Sequence, residues 1–308
     1  MQLIRDSNFS KIQGPTVATI GNFDALHLGH RQIIQEVVTK ATALNCIPTL
    51  VTFEPTPRAV LAPSTAIWRL NHLPQKLALL QQWGIKQVLC LRFNQTLAAL
   101  SAQHFVERYL VDLLKVRHLV VGNNFRFGHQ QRGNVQLLTQ LAQRFDFSVN
   151  AQGLQTADAQ KISSTLVRQS LLQGDLNQVK SLLGRNYSVT ARVVYGDARA
   201  RGLGFPTANL RVKTAQQGFS GVFVSEVILD NQRYLAATNV GRRPTLDGKN
   251  YLIEAHLLDF SQNMYGKRIT VEFIHKIREE KRFASVEQLC QQIESDIQAT
   301  KQYAGKTQ

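Results

Sequence analysis

Between Thr16 and Ala151, short apolar runs rich in β-branched residues alternate with stretches of helical spacing. Thr16–Ile20, Ile47–Phe53, Gln87–Leu91, Leu119–Val121 and Phe147–Ala151 read as strands. Gly29–Leu44, Lys76–Trp83, Gln103–Leu114 and Asn134–Arg144 read as helices among them, the first with Ile33, Ile34, Val37, Val38, Ala41 and Leu44 as its apolar positions. Strand and helix in alternation build a parallel sheet with helices on its faces, because parallel neighbours need a long crossover. The first half is therefore expected to be an α/β domain.

Beyond Ser163 the pattern changes. Ser164–Gln173 and Asp175–Leu183 are short helical stretches, and Gly184 ends the second. Tyr187–Tyr195, Gly221–Leu229, Arg233–Val240, Leu252–Leu258 and Ile269–Ile277 then follow as strand-like runs separated by turn residues. Ser285–Thr300 is an amphipathic helix, with Ser285 as N-cap and Gln288 at the capping-box position. This grammar predicts an antiparallel barrel or sandwich with a terminal helix. With 308 residues, two domains are expected, 1–184 and 185–308.

Composition excludes several classes. At 44% hydrophobic residues the chain can fill two cores. No run approaches the ~18 apolar residues of a membrane helix, and Met1–Asp6 lacks the apolar centre of a secretory signal. Cys46, Cys90 and Cys290 lie far apart, which argues against a disulfide framework or a cysteine zinc site and favours the cytoplasm. A net charge of +15 favours anionic partners. The longest Lys/Arg run is two residues, as at Arg242-Arg243, so neither a nucleic-acid arm nor membrane binding is expected.

The segment Gly21-Asn22-Phe23-Asp24-Ala25-Leu26-His27-Leu28-Gly29-His30 follows the first strand and opens the first helix. Unpaired N–H groups and partial positive charge make such a place attractive to phosphate. His27 and His30 bracket Gly29, where backbone can approach a ligand, and both imidazoles can donate to a phosphoryl group. A zinc pair is the rival reading, but no third ligand is near in sequence. Three further segments stand past strand ends or at helix starts, where open α/β sheets bind ligands: 51–57, 122–128 (with Arg132-Gly133-Asn134 after it) and 162–168.

The first segment resembles the HxGH superfamily of nucleotidyltransferases. Together the four resemble the FMN adenylyltransferase module of bacterial bifunctional FAD synthetases. That resemblance implies a Rossmann-like nucleotidyltransferase domain in which His27 and His30 handle ATP phosphates, with Gly21, Phe23 and Gly29 in the ATP-binding segment. It puts Asn124 where the family holds phosphate or flavin phosphate, and Ser163, Ser164, Thr165 and Arg168 in a phosphate loop. Taken by themselves, Ser163–Thr165 read equally as an N-cap, and Phe125 and Phe127 as core packing or flavin stacking. Ala25 stands where glycine is frequent and is strained if φ there is positive. Thr56 stands where histidine is frequent, so no catalytic role is assigned to it.

In the second half, three glycines and two arginines in 196–204 lead into Phe205-Pro206-Thr207-Ala208-Asn209. Glycine amides and arginines suit phosphate, and Thr207 and Asn209 offer the oxygen ligands that Mg²⁺ accepts. The uninterrupted string 203–210 resembles the riboflavin kinase signature, and 218–223, 239–245, 254–260 and 265–273 resemble further segments of that family. The resemblance implies that Gly202, Gly204, Thr207 and Asn209 contact Mg²⁺–ATP and that Glu272 is the general base on the ribityl 5′-hydroxyl. By its residues alone, Glu272 is a solvent-facing position on an amphipathic strand. Ala200, Phe223 and Asn263 replace a frequent glycine, tyrosine and aspartate.

The implied protein is a bifunctional enzyme of flavin-cofactor synthesis. It uses ATP to convert riboflavin to FMN, then joins AMP to FMN to give FAD and pyrophosphate, with a divalent cation, Mg²⁺. Its implied catalytic set is His27, His30, Asn124 and Glu272. Replacing His30 by alanine is expected to abolish FAD formation and spare FMN formation; replacing Glu272 by alanine is expected to do the reverse. Three alternatives remain: an enzyme with one degenerate module, a nucleic-acid binder supported by charge alone, and a flavin-sensing regulator. His72, His104, His118, His129, His256 and His275 are read as structural, and Lys276–Arg282 as a solvated surface. The oligomeric state is not legible.

Overall fold

The computed structural model describes residues 1–65, 68–153, 156–157, 160–195, 204–212, 219–245 and 248–306. Compactness divides the chain into Met1–Ile67 with Asn71–Ser163, and Trp68–Leu70 with Ser164–Gln308. The secondary-structure grammar changes at 184, whereas by compactness the two helices before that point group with the later strands.

In the first unit β1 (Gln2–Ile4), β2 (Thr16–Ile20), β3 (Ile47–Phe53), β4 (Gln87–Leu91), β5 (Val116–Gly122) and β6 (Ser148–Gln152) form a parallel sheet in the order β1-β4-β3-β2-β5-β6. Alternate residues of each strand enter opposite cores, as the two-residue period of a strand requires. Val17, Leu50, Val88 and Val120 pack beneath α1 (Leu28–Ala43) and α3 (Leu73–Gln82). Ala18, Val51, Leu89, Leu119 and Val121 share the other core with α5 (Ala102–Phe105), its π-helical continuation Val106–Leu113, and α6 (Val135–Arg144). Two short helices, α2 (Pro57–Leu61) and α4 (Gln95–Ala98), and a short antiparallel pair, β7 (Thr156–Ala157) and β8 (Gln160–Lys161), also belong to this unit. From β2 the chain builds β3 and β4 to one side and β5 and β6 to the other. Loops leaving β2 and β5 therefore flank a crevice at the carboxyl ends, the usual ligand position of such sheets. The edge strand β1 is only three residues long, too short to carry a periodic signal.

The second unit begins with α7 (Ser164–Gln173) and α8 (Leu176–Leu183), which ends on Gly184 in the left-handed region at φ 68°. Then β9 (Tyr187–Val194), β10 (Ala208–Val212), β11 (Gly221–Leu229), β12 (Gln232–Thr245), β13 (Gly248–Leu257) and β14 (Arg268–Arg278) close an antiparallel barrel in the order β10-β13-β12-β11-β14-β9. A barrel, rather than a sandwich, results because β10 bridges β13 and β9. That strand begins inside the Pro-Thr-Ala-Asn motif and does not read as a strand from sequence. Asp230 and Asn231, at φ 49° and 66°, turn β11 into β12, as a type I′ hairpin requires. Phe219, Phe223 and Phe273 fill the core, with ring centroids 4.8–5.4 Å apart.

The terminal helix α9 (Val286–Lys306) is fixed to β14 by a buried ion pair. Arg278 donates from Nε to Asp296 Oδ1 at 2.8 Å and from Nη2 to Oδ2 at 2.6 Å. Arg278 thus corrects the expectation that 276–282 is simply a solvated run. Once α9 docks, its guanidinium meets a carboxylate that is itself 6% exposed.

Candidate active sites

The loop from Gly21 to His30 is built under strain. Phe23, Ala25 and Leu26 adopt φ of 45°, 70° and 50° without a glycine among them. A left-handed non-glycine residue costs roughly 1–2 kcal/mol. All three side chains are buried, none above 4% exposed, so packing contributes to keeping the backbone there. The condition set out for Ala25 is met: its φ is positive. His27 caps α1, its Nδ1 accepting from the His30 N–H at 3.3 Å. An imidazole that accepts at Nδ1 carries its proton on Nε2 when neutral, which suits donation to phosphate. The His27 and His30 rings stack with centroids 3.7 Å apart and planes at 14°. Gly29 is explained by that ring: a Cβ there would stand 3.2 Å from His27 Nδ1. At Gly21 a Cβ would meet the Phe23 ring at 3.0 Å. Phe23 itself is a core residue, so its contribution to the site is to hold the loop.

Across the crevice, the loop after β5 carries Asn124, Phe125 and Phe127. The two phenyl rings stack at 5.3 Å, and Phe127 pairs its backbone with Gly133 while packing on Phe105. Phe127 is thus core, whereas Phe125 is half-buried. Both line a cavity of about 670 Å³ shared with Gly21, Phe53, Phe93 and Asn124. Its aromatic walls and its place at the sheet's switch point suit a planar heteroaromatic ligand. His129, read as structural, also lines it.

Ser164 and Thr165 open α7, one residue after Ser163. Arg168 commits two donors to backbone, Nε to Trp68 O at 3.0 Å and Nη1 to Ser164 O at 3.1 Å. Ser163 falls in the first compact unit and the other three in the second.

In the barrel, Asn209, Glu254 and Asn239 face one another across β10, β13 and β12 in direct register. Opposite residues of antiparallel neighbours share a face. With Thr207 and His256 they line a cavity of about 850 Å³. Asn209 Nδ2 donates to Thr207 O at 3.3 Å, and Asn239 Nδ2 to Glu254 Oε2 at 3.4 Å. Asn209 is 7% exposed, and its Oδ1 has no hydrogen-bond partner among the described residues. A buried amide oxygen left without a donor suits a hard cation, so the donors present fit Mg²⁺. Among the described residues no group of three His, Cys, Asp or Glu side chains could hold a metal. Gly204, exposed, adopts φ 91°, while Gly202 lies outside the described residues.

Glu272 is not in this row. Ile269, Val271 and Phe273 of β14 are buried, so alternation turns Glu272 to the opposite face, beside Glu226 of β11. There Arg233 Nη1 donates to Glu272 Oε2 at 3.0 Å and to Glu226 Oε2 at 2.5 Å. These bonds, that to Glu272 first, raise the Arg233 pKa above its usual range. Glu272 does not line the cavity; Glu254, Glu280 and Asp296 do, and of these Glu254 is the one paired in register with Asn209. The available sequence signal was the polar pair Glu254 and His256 in the otherwise apolar run Leu252–Leu258. His256, read as structural, also faces the cavity, with Nδ1 2.9 Å from Pro206 O.

Residues 9–166 match the family model described as FAD synthetase, and residues 183–304 that of riboflavin kinase. The bifunctional riboflavin kinase/FMN adenylyltransferase of Pseudomonas fluorescens is 41% identical, covering 99% of this chain and 98% of its own length. Those of Haemophilus influenzae and Escherichia coli K12 are each 38% identical, over 98% and 100% of this chain and 99% of their own. The chain belongs to the bifunctional riboflavin kinase/FMN adenylyltransferase family. A crystal structure described as a macrolide-efflux protein from Streptococcus pneumoniae is also similar. It has a TM-score of 0.83 at 28% identity, covering 97% of this chain and 98% of that one. Among the described residues of the present family member, no helix is long and apolar enough to cross a membrane.

Proposed function

We propose that the chain makes FMN from riboflavin and ATP in its barrel half, 185–308, and FAD and pyrophosphate from FMN and ATP in its α/β half, 1–184. The observation that carries the kinase assignment is the row Asn209–Glu254–Asn239 beside Thr207. Thr207 and Asn209 hold the phosphate-bound cation, Mg²⁺, which when bound offsets phosphate charge. Glu254 accepts the proton of the ribityl 5′-hydroxyl as that oxygen attacks the γ-phosphorus and ADP leaves with the bridging oxygen, and Asn239 orients the carboxylate. Glu272 has no part in this step.

In the α/β half, an FMN phosphate oxygen attacks the α-phosphorus of ATP and pyrophosphate leaves. His27 and His30, stacked at the start of α1, donate to the phosphoryl oxygens as charge builds. The aromatic cavity beside Phe125 receives the flavin ring and Asn124 holds its phosphate; the phosphate-loop role of Ser163, Ser164, Thr165 and Arg168 rests on the sequence motif alone. ATP as donor and the free thiols Cys46, Cys90 and Cys290 fit a cytoplasmic setting.

The test is a time course of purified protein with riboflavin, ATP and Mg²⁺, flavins being separated at each point. FMN followed by FAD is expected, both halted by a chelator and restored by Mg²⁺. Either product missing in folded protein would remove the corresponding half of the assignment.

A further inference from the structure

We propose that Lys76 is a positioning residue for adenylyl transfer: it clamps the loop that aims His27 and His30. The inference rests on the adenylyltransferase reading of that site. Lys76 lies on α3, is 7% exposed, and donates from Nζ to the Asn22 carbonyl at 2.5 Å. Thr52 Oγ1 reaches the same carbonyl at 3.5 Å, and the Asn71 N–H donates to Asp24 Oδ1 at 3.3 Å. Two residues of the loop, Asn22 and Asp24, are thus gripped by the start of α3 and the end of β3. The positive-φ residues Phe23, Ala25 and Leu26 lie beside and between these grips, directly before the histidine pair. A lysine ammonium is costly to bury, and a methionine would fill the same space more cheaply. What the ammonium adds is a strong donor to a carbonyl whose loop is strained. With the clamp gone, the loop is free to relax toward ordinary φ values and carry the two rings out of register.

Strain supplies a test that generic loss of packing does not mimic. Ala25→Gly removes the steric objection to φ 70° at the centre of the loop, so it should make the clamp dispensable. Lys76→Met is expected to lower kcat for FAD formation by about 100-fold with KM for FMN little changed. Riboflavin phosphorylation by the same molecules should stay unchanged. Adding Ala25→Gly to Lys76→Met is expected to restore kcat to within about threefold of the parent. Unaltered FAD synthesis in Lys76→Met, or loss that Ala25→Gly does not recover, overturns the proposal. If Lys76→Met does not fold, Lys76→Arg decides, with and without Ala25→Gly. A misplaced donor should lower kcat and be rescued by the glycine, and absence of rescue overturns the clamp. His30→Ala separates the two levels. Retention of FAD synthesis in that variant would sink the reading of the site and the clamp with it. Its loss alongside an active Lys76→Met would sink the clamp alone.

Discussion

Glu254 and Glu272 are strand glutamates of one barrel, and only pairing tells them apart. Glu254 stands in register with Asn209; Glu272 stands opposite Glu226 on an arginine. Glu254→Gln is expected to lower riboflavin phosphorylation by about 10²–10⁴-fold in kcat, the usual worth of a general base. Glu272→Gln is expected to stay within about threefold, its salt bridge being partly exposed. Steady-state kinetics on the two variants decides between them. A second prediction concerns His118 in β5, 8% exposed, with Nδ1 2.6 Å from Ser148 Oγ. Burial, then Lys40, lowers its pKa, against a smaller opposing pull from Glu36. The folded protein therefore prefers neutral His118, while the unfolded chain takes up a proton near pH 6.5. Its contribution is complete above about pH 6.5 and is lost as pH falls below that value. Thermal unfolding of the parent should drop more steeply between pH 7.5 and 5 than that of His118→Gln; parallel profiles would refute this.

At the scale of elements, a buried ion pair ties α9 to β14. Asp296 also accepts from Gln292 Nε2 at 3.0 Å, and Thr300 Oγ1 bonds its carbonyl at 2.8 Å, so the carboxylate is fixed on the helix. Asp296→Ala leaves the Arg278 guanidinium buried without its carboxylate, which should cost about 3–5 kcal/mol. Replacing both partners by Met and Leu should recover most of that loss, because the desolvation penalty goes with the charges. Denaturant unfolding of the single and double variants measures this, and a double variant as unstable as the single would exclude it. Because Arg278 and Asp296 also line the barrel cavity, the single variant should raise KM for riboflavin as well.

For the whole molecule, the assignment of one reaction to each half predicts complementation. His30→Ala should make FMN and stop; Glu254→Gln should make FAD only when FMN is supplied. Mixed together with riboflavin and ATP, the two variants should form FAD after a lag, as FMN released by one is consumed by the other. FMN accumulating without FAD in the mixture would mean that the product does not pass between molecules.

Much was legible before any coordinates. β2, β3, β4 and β11 have the bounds that periodicity predicts, because long apolar runs bounded by turn residues leave little freedom. The histidine pair and the Thr207–Asn209 pair stand out by local spacing, and the loop after β5 by its place past a strand end and its family resemblance; each is locally built: a cap, two residues at a strand start, a stacked pair of rings. Three things were decided only by tertiary structure. Closure of the barrel through β10, the burial of Arg278 against α9 and the placing of Glu254, not Glu272, at the cavity all depend on register between segments distant in sequence. A strand's period says that alternate residues face alternate sides, but not which side meets which partner. That is settled when neighbouring strands pair, and with it which carboxylate faces the barrel cavity.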